Sequence, residues 1–343
     1  MQIRSVGIDL GKTTFHLIAL GDNGKVLLKK KFTQKQLITF TANLQTSLIG
    51  MEACSGAHFL GRALRAQGHE VKLIPAQFVK PFVKSNKNDF NDAEAIAEAV
   101  DRQNMRFVPI KTDDQLDLQA LHRVRDRLIH RRTSVINQIR AFLLERGMVF
   151  AKSPIRLREA IPEVLENASE NLTPRMRNLV AMLWNEWKDL ELQIVEMNEE
   201  VERIASSDAA CIRLRQIPGI GPLVATAIVA SIGNGAAFQK GREFAAWMGL
   251  VPRQYSTGGK AKLYGISKRG NCYLRKILVH GARAVVLRSK RDRIAMGAWM
   301  TALETRAPKN VLIVAVANKL ARSAWAVFSS GQDYRPFPNT MAA

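Results

Sequence analysis

The chain has 343 residues, room for two or three domains with real cores, and its 51 Lys and Arg against 30 Asp and Glu give a formal charge of +21. Such an excess favours a polyanion as partner; no apolar run reaches the roughly 18 residues of a membrane span, and the opening MQIRSVGIDL lacks a signal-peptide layout. Cys54, Cys211 and Cys272 are widely spaced with no CxxC pair, which fits a reducing compartment and excludes a zinc knuckle or disulfide scaffold.

Residues 1–32 read as a β-meander: IRSVGIDL, TTFHLIAL, a GDNG reversal, then KVLLKKKF. A helical stretch over 34–45 leads to a fourth strand, SLIGMEA, which carries Glu52. A helix over 57–67, a fifth strand HEVKLIP and a helix over 89–100 complete the segment. Three meander strands followed by alternating helix and strand is the ribonuclease H-like order, so an α/β domain is expected over 1–108.

Four acids fall at telling places in that order. Asp9 ends the first strand, Glu52 ends the fourth, and Asp89 and Asp92 are three apart on one helix face. Carboxylate oxygens are the donors Mg²⁺ or Mn²⁺ prefers, and two such ions can clamp the attacking and leaving oxygens of a phosphodiester.

From 109 to 207 the sequence turns helical. Leu121, Val124, Leu128, Val135, Ile139 and Phe142 recur at three- and four-residue steps, beside Arg123, Arg125, Arg127, Arg131, Arg132 and Arg140. Then Met176, Val180, Leu183, Trp187, Leu190, Ile194, Met197, Val201 and Ile204 form a heptad seam that predicts a coiled coil. The mate is either the 113–146 helix folding back or the same helix of a second subunit.

A mainly α domain is expected over 208–343. IPGIGPLVATAIVASIG reads either as a helix-hairpin-helix, whose turn amides hold a phosphate, or as a tight turn packing two helices through Ala225 and Ala227. Between Ser256 and Arg293 stand eleven Lys and Arg and one acid, Asp292, in a Gly-rich stretch read as irregular, and phosphate contact accounts for that density. VLIVAVANKLARSAWAVF reads as a core helix.

Taken together, GIDLGKTTFHLIAL, GMEACSG and NDFNDAEAIAEA, with IPGIGPLVATAIVASIG, FAAWMGLVPRQYSTGGK and GISKRGNCYLRKILVHGARA, resemble the insertion sequence 110 family of transposases over nearly the whole chain. The resemblance implies a DNA recombinase joining a RuvC-like domain of four acids to a second domain with a nucleophilic serine. It implies guidance by a structured noncoding RNA pairing with donor and target DNA, action as a dimer or tetramer, and a bacterial, cytoplasmic, nucleoid-associated setting. Carried over, Asp9, Glu52, Asp89 and Asp92 are the metal-binding acids and Ser256 the nucleophile, with the neighbouring Thr257 as the alternative hydroxyl. Arg123, Arg127, Arg131, Arg132, Arg253, Lys260, Lys268, Arg269 and Arg275 are the expected nucleic-acid contacts. No histidine accompanies Ser256 in its motif, and none of the six histidines is expected to act in catalysis.

Two other readings share parts of this pattern. GIDLGKTT looks like the first phosphate loop of actin-like and sugar-kinase-like ATPases, but no Asp-Gly-Gly-Gly-type second loop follows and the charge goes unexplained. A hydrolytic junction nuclease shares the four acids and leaves the Ser256 region without a role.

Overall fold

Alternation of apolar residues in IRSVGIDL makes Ile3–Leu10 a strand, β1, whose central residues are buried. β2 (Phe15–Gly21) is buried along nearly its whole length, as a strand covered on both faces must be. β3 (Val26–Phe32) lies at the edge, and its run Lys29-Lys30-Lys31 blunts that edge against further pairing. Helix α1 (Gln34–Ala42) starts in a capping box between Thr33 and Gln36. β4 (Leu48–Glu52), α2 (Ala57–Ala66), β5 (Glu70–Ile74), the single turn α3 (Ala76–Val79) and α4 (Asp89–Val100) follow. The sheet order is β3-β2-β1-β4-β5, with β1, β4 and β5 parallel and the first three strands antiparallel. The five strands and the helices α1, α2 and α4 fall within three residues of the positions read from the sequence, while the single turn α3 was not expected.

In this computed structural model, residues 2–84, 88–167, 172–233, 235 and 237–336 are described. The chain forms two units, Met1–Gln115 with Ile232–Gln239, and Leu116–Ser231 with Lys240–Ala343.

The first unit is built to let α4 lie directly on the sheet. A Cβ on Gly7, in the middle of β1, would sit 2.1 Å from the Ala93 carbonyl oxygen and 2.4 Å from the Ala97 nitrogen. Gly50 of β4 makes the same allowance for Val100 and Ile96. Buried Ser5 then donates from Oγ to the Ala97 carbonyl at 2.8 Å, fixing the helix along the strand. Beneath the other face, Val6, Ile8, Leu17, Ile49, Met51, Leu60 and Leu73 form the main core. Gly7→Val is therefore expected to abolish cooperative folding of this unit or lower its Tm by roughly 10 °C or more, as read by thermal melting. A variant that melts like the parent contradicts the close approach.

The second unit begins with α5 (Asp113–Leu144), α6 (Pro154–Glu166) and α7 (Pro174–Ser207). From Arg125 to Arg131 and Arg132 on α5, the partners on α7 fall back from residue 198 to 186 and 191. Arg125 donates to Asn198 at 2.6 Å, Arg131 to Glu186 at 2.8 Å and Arg132 to Glu191 at 3.2 Å, so the helices run antiparallel. Val180, Trp187 and Leu190 of the seam are buried with Val135, Ile139 and Leu143 of α5 and with Leu157 and Ile161 of α6. The seam is thus met by two helices of its own chain along this stretch, rather than by a single continuous mate.

α8 (Ala209–Arg215), α9 (Pro222–Ile232) and α10 (Gly241–Trp247) come next, then strands β6 (Pro252–Thr257) and β7 (Lys260–Ile266). Helices α11 (Cys272–Arg288), α12 (Gly297–Glu304) and α13 (Lys309–Ser330) close the unit. In the turn before α9, Gly219 has φ 90° and its carbonyl lies against Gly281 of α11, where a Cβ would come within 2.1 Å of it. This favours the packing role of that turn, with Ala225 and Ala227 buried beyond it. The stretch after Ser256 is not irregular: Gly258 and Gly259, with φ 55° and 75°, make the two-residue turn of a β-hairpin.

α13 is long and apolar enough to cross a membrane by length and composition, which corrects the expectation that no apolar stretch reaches that size. Lys319 and Arg322 interrupt the apolar run without lowering its mean hydropathy below that of a span. Half of its most apolar window is buried inside the protein, where Leu312, Val316, Leu320 and Ala324 pack against neighbouring helices.

Candidate active site

Asp9 is the penultimate residue of β1, and its register partner on β2 is His16. Ile8 pairs with Met51 on parallel β4, so Asp9 and Glu52 leave the sheet side by side at its carboxyl end. α4 delivers the other two acids from above. Its N-cap Asn88 accepts from the Phe90 amide at 2.9 Å, and Asp89 and Asp92 occupy its first turn, where the helix dipole favours negative charge. The glycine-lined track across β1 and β4 aims that turn at the end of β1. His16 Nδ1 lies 3.6 Å from Asp89 Oδ2, and its ring meets Phe90 edge-on at 4.7 Å. Lys29 of β3 stands over the Phe90 ring at 4.6 Å.

Electrostatics report the same convergence. The Asp9 carboxyl is held above its ordinary value, first by burial, then by the negative charges of Asp92 and Asp89, with Glu52 adding a smaller push and His16 opposing. Cys54 lies at the rim of the group, its thiol pushed up by burial and by Glu52 and Asp9, so it is kept protonated and is a poor nucleophile.

In the second unit, Ser256 sits near the tip of the β6–β7 hairpin, opposite Ala261, and Thr257 sits opposite Lys260. Gln254 donates from Nε2 to Ser256 Oγ at 2.7 Å, a contact two residues apart along one face of the strand. Both strands are exposed almost throughout. The loop 267–271 that follows is locked by main-chain packing. A Cβ on Gly270 would meet the Trp247 carbonyl oxygen at 1.8 Å, and one on Gly249 would meet the Arg269 carbonyl at 2.4 Å. Arg275 donates to the Met248 and Arg269 carbonyls, each at 2.8 Å, so its guanidinium ties this loop to the end of α10. Lys268, in a left-handed conformation at φ 55°, and Arg269 are left exposed on the locked loop.

The expected arginines of α5 divide into two sets. Arg131 and Arg132 reach the α7 carboxylates already described. Arg123 and Arg127 are exposed and, with Gln119, Asn271 and Tyr273, line a cavity of about 560 Å³. At its wall, buried His122 shares hydrogen bonds with Tyr273 Oη at 2.9 Å and Thr226 Oγ1 at 3.1 Å. Burial, aided by Arg125, lowers the His122 pKa to about 4, so it is neutral there at ordinary pH.

Two family patterns match this sequence. One, described as Transposase, covers residues 6–147, and the other, described as Transposase IS116/IS110/IS902 family, covers residues 211–296. The chain is 42% identical over 337 residues to the Probable family 20 transposase of Pseudomonas aeruginosa, covering 98% of this chain and 100% of that one. It is 44% identical over 332 residues to the Transposase for insertion sequence element IS1328 of Yersinia enterocolitica, covering 96% and 98%. The Transposase for insertion sequence element IS1111A of Coxiella burnetii is 41% identical over 97% of this chain and 92% of its own.

The chain belongs to the IS110/IS116/IS902 family of transposases. As a transposase it cuts and rejoins DNA, which is its substrate. The first matched segment of the transposase contains all four acids, and the second contains the hairpin with Ser256.

The donor chemistry of the quartet fits a hard divalent cation: four carboxylates at one sheet end, with Asp9 strained by the charges around it. Among the described residues, no three His, Cys, Asp or Glu side chains are gathered closely enough to ligate one ion as they stand. Sequence reasoning passed over His16 and Lys29, which flank the quartet. The register of β1 on β2 is what puts His16 opposite Asp9.

Proposed function

We propose that this transposase breaks a DNA strand by attack of the Ser256 hydroxyl on phosphorus. The serine oxygen gives up its proton as it bonds to phosphorus, the bond from phosphorus to the 3′ oxygen breaks, and that oxygen leaves as a free 3′ hydroxyl after taking up a proton. A 3′ hydroxyl from the exchanged strand then attacks the phosphoserine and reseals the backbone, so the ester is conserved without ATP. The observation that carries this reading is the two-part chemistry of the chain: a strained quartet of acids in a family that cuts DNA, together with an exposed, hydrogen-bonded serine hydroxyl within a strongly basic segment.

Asp9, Glu52, Asp89 and Asp92 would hold Mg²⁺ or Mn²⁺. A divalent cation held by them would supply Lewis-acid activation of an attacking hydroxyl and offset charge building on the phosphate. The protein's own groups do the rest. Gln254 orients Ser256 Oγ, Lys268 and Arg269 lie beyond on the locked loop to receive flanking phosphates, and Arg253 and Lys260 are assigned to nucleic acid from the other face of the hairpin. Arg275 positions that loop. Arg123 and Arg127, facing the cavity beside α5, are assigned to nucleic acid, and Arg131 and Arg132 combine that role with holding α7.

Functionally we divide the chain into a RuvC-like, ribonuclease H-like domain over 1–108, a helical coiled-coil region over 109–207 and a serine-bearing domain over 208–343. A structured noncoding RNA encoded by the element guides the reaction by pairing with donor and target DNA. The working form is a dimer or tetramer. Incubating the purified protein with donor DNA, target DNA and the RNA transcribed from the element's flanks tests this. Strand-exchanged, resealed products that vanish when the RNA is omitted are expected. Cut ends that accumulate without an adduct or joined products would instead mean a hydrolytic nuclease.

A further inference from the structure

The β6–β7 hairpin is one sheet thick, and its two faces differ in chemistry. Side chains alternate across a strand, so Gln254, Ser256, Ala261 and Leu263 share one face. Arg253, Tyr255, Thr257, Lys260, Lys262 and Tyr264 share the other. Two sets of contacts fix this assignment. Gln254 reaches Ser256 on the first face, while the Arg253 guanidinium and Lys262 Nζ stand 5.9 Å and 5.6 Å from the Tyr264 ring on the second. Thr257 therefore points away from Ser256.

The second face is unusual for a surface left in water. Tyr255 is 67% exposed and Tyr264 44%, three cations surround them, and the stretch 252–266 holds no carboxylate. Tyr255 pairs with Lys262, which makes Tyr264 its diagonal neighbour at roughly 7–8 Å, so the two rings lie side by side on this face, with Arg253 and Lys262 over the Tyr264 ring. A two-stranded ribbon exposed on both sides is marginal by itself and gains from a ligand that covers it. Rings spaced among cations, without acids, match a polyanion that also offers flat apolar faces. Duplex DNA hides those faces in its stack; a single strand presents them.

We propose that this face binds single-stranded DNA, with bases unstacked beside the break lying on Tyr255 and Tyr264 and their phosphates held by Arg253, Lys260 and Lys262. The inference rests on the reading that Ser256 attacks DNA from the reverse face. The hairpin then acts as a wedge: the strand being cut lies on the hydroxyl side and the strand parted from it on the tyrosine side.

Fluorescence anisotropy with the full-length protein tests this, using labelled oligo(dT), oligo(rU) and a DNA duplex of equal length at fixed salt. The double variant Tyr255→Leu/Tyr264→Leu is expected to lose about 10–100-fold in affinity for oligo(dT), with duplex affinity within about twofold of the parent. Tyr255→Trp/Tyr264→Trp should bind oligo(dT) as the parent does, since the indole ring stacks at least as well. Both positions are exposed, so melting temperatures should match the parent and serve as the folding control. Unchanged oligo(dT) binding overturns the proposal, and an equal loss on duplex reduces the face to a phosphate track and overturns it too. A loss confined to oligo(rU) assigns the face to RNA and overturns the DNA reading. Ser256→Ala should bind oligo(dT) normally, so a failure of the serine mechanism shows only in adduct assays and is separable from a failure here.

Discussion

Ser256→Ala is expected to form no covalent protein–DNA adduct, with recombination falling by at least about 10³-fold, while DNA and RNA binding stay near parental levels. The size of the loss follows from the role proposed for Ser256, which would carry the phosphate ester on the protein; water attack would release a cut end instead. Thr257→Ala should retain the adduct. Alternation along β6 places the threonine hydroxyl on the reverse face, away from Gln254 and the serine, and a one-residue slip is opposed by the Gly258-Gly259 turn. An adduct that survives in Ser256→Ala and disappears in Thr257→Ala moves the nucleophile by one residue.

Asp9→Asn is expected to stop strand cleavage and, in metal-free buffer at neutral pH, to raise the melting temperature of the protein. The first effect comes from losing a carboxylate donor at the end of β1. The second follows from the direction of the Asp9 shift. Its carboxyl is held above the ordinary value of 3.8, so between that value and its folded pKa the native state binds more protons than the unfolded state. Stability therefore falls as pH rises through that window, because ionised Asp9 faces desolvation and the charges of Asp92 and Asp89. Asparagine keeps the shape and removes the repulsion, for an expected gain of roughly 1–3 °C that shrinks as pH drops toward 3.8. Adding Mg²⁺ should stabilise the parent and not the variant, narrowing the gap, since a ligand stabilises only the state that binds it. A variant less stable than the parent at neutral pH, with no response of the parent to Mg²⁺, contradicts both the strain and the metal role.

Much of the first unit was legible because its local signals agree. The apolar run IRSVGIDL gave β1 and the Asn-Gly turn gave the β2–β3 reversal, while Gly7 and Gly50, where α4 touches the sheet, went unread. The four acids were readable as a set only because that strand order implies their meeting point. His16 was missed because a histidine seven residues from Asp9 carries no meaning until the hairpin register is known.

The second unit was harder for a physical reason. Its seam residues specify that α7 is buried but not by what, since heptad spacing is satisfied equally by one mate or by two helices from the same chain. Gly249 and Gly270 stand in two of the motifs that carry the family resemblance. They are also close-packing positions, where main chain meets main chain between α10 and the loop before α11. The hairpin was hidden by its own charge: five cations and three glycines between Arg253 and Arg269 look irregular until Gly258-Gly259 is taken as a two-residue turn.

Peptide mapping of the DNA adduct by mass spectrometry, on protein incubated with donor DNA and its RNA in Mg²⁺ and in EDTA, tests the central claim most directly. A nucleotide phosphate attached to Ser256 in Mg²⁺, and absent in EDTA or in Asp9→Asn, is the predicted result. Attachment at another residue, or cut DNA accumulating in Mg²⁺ with no attachment at all, would contradict it.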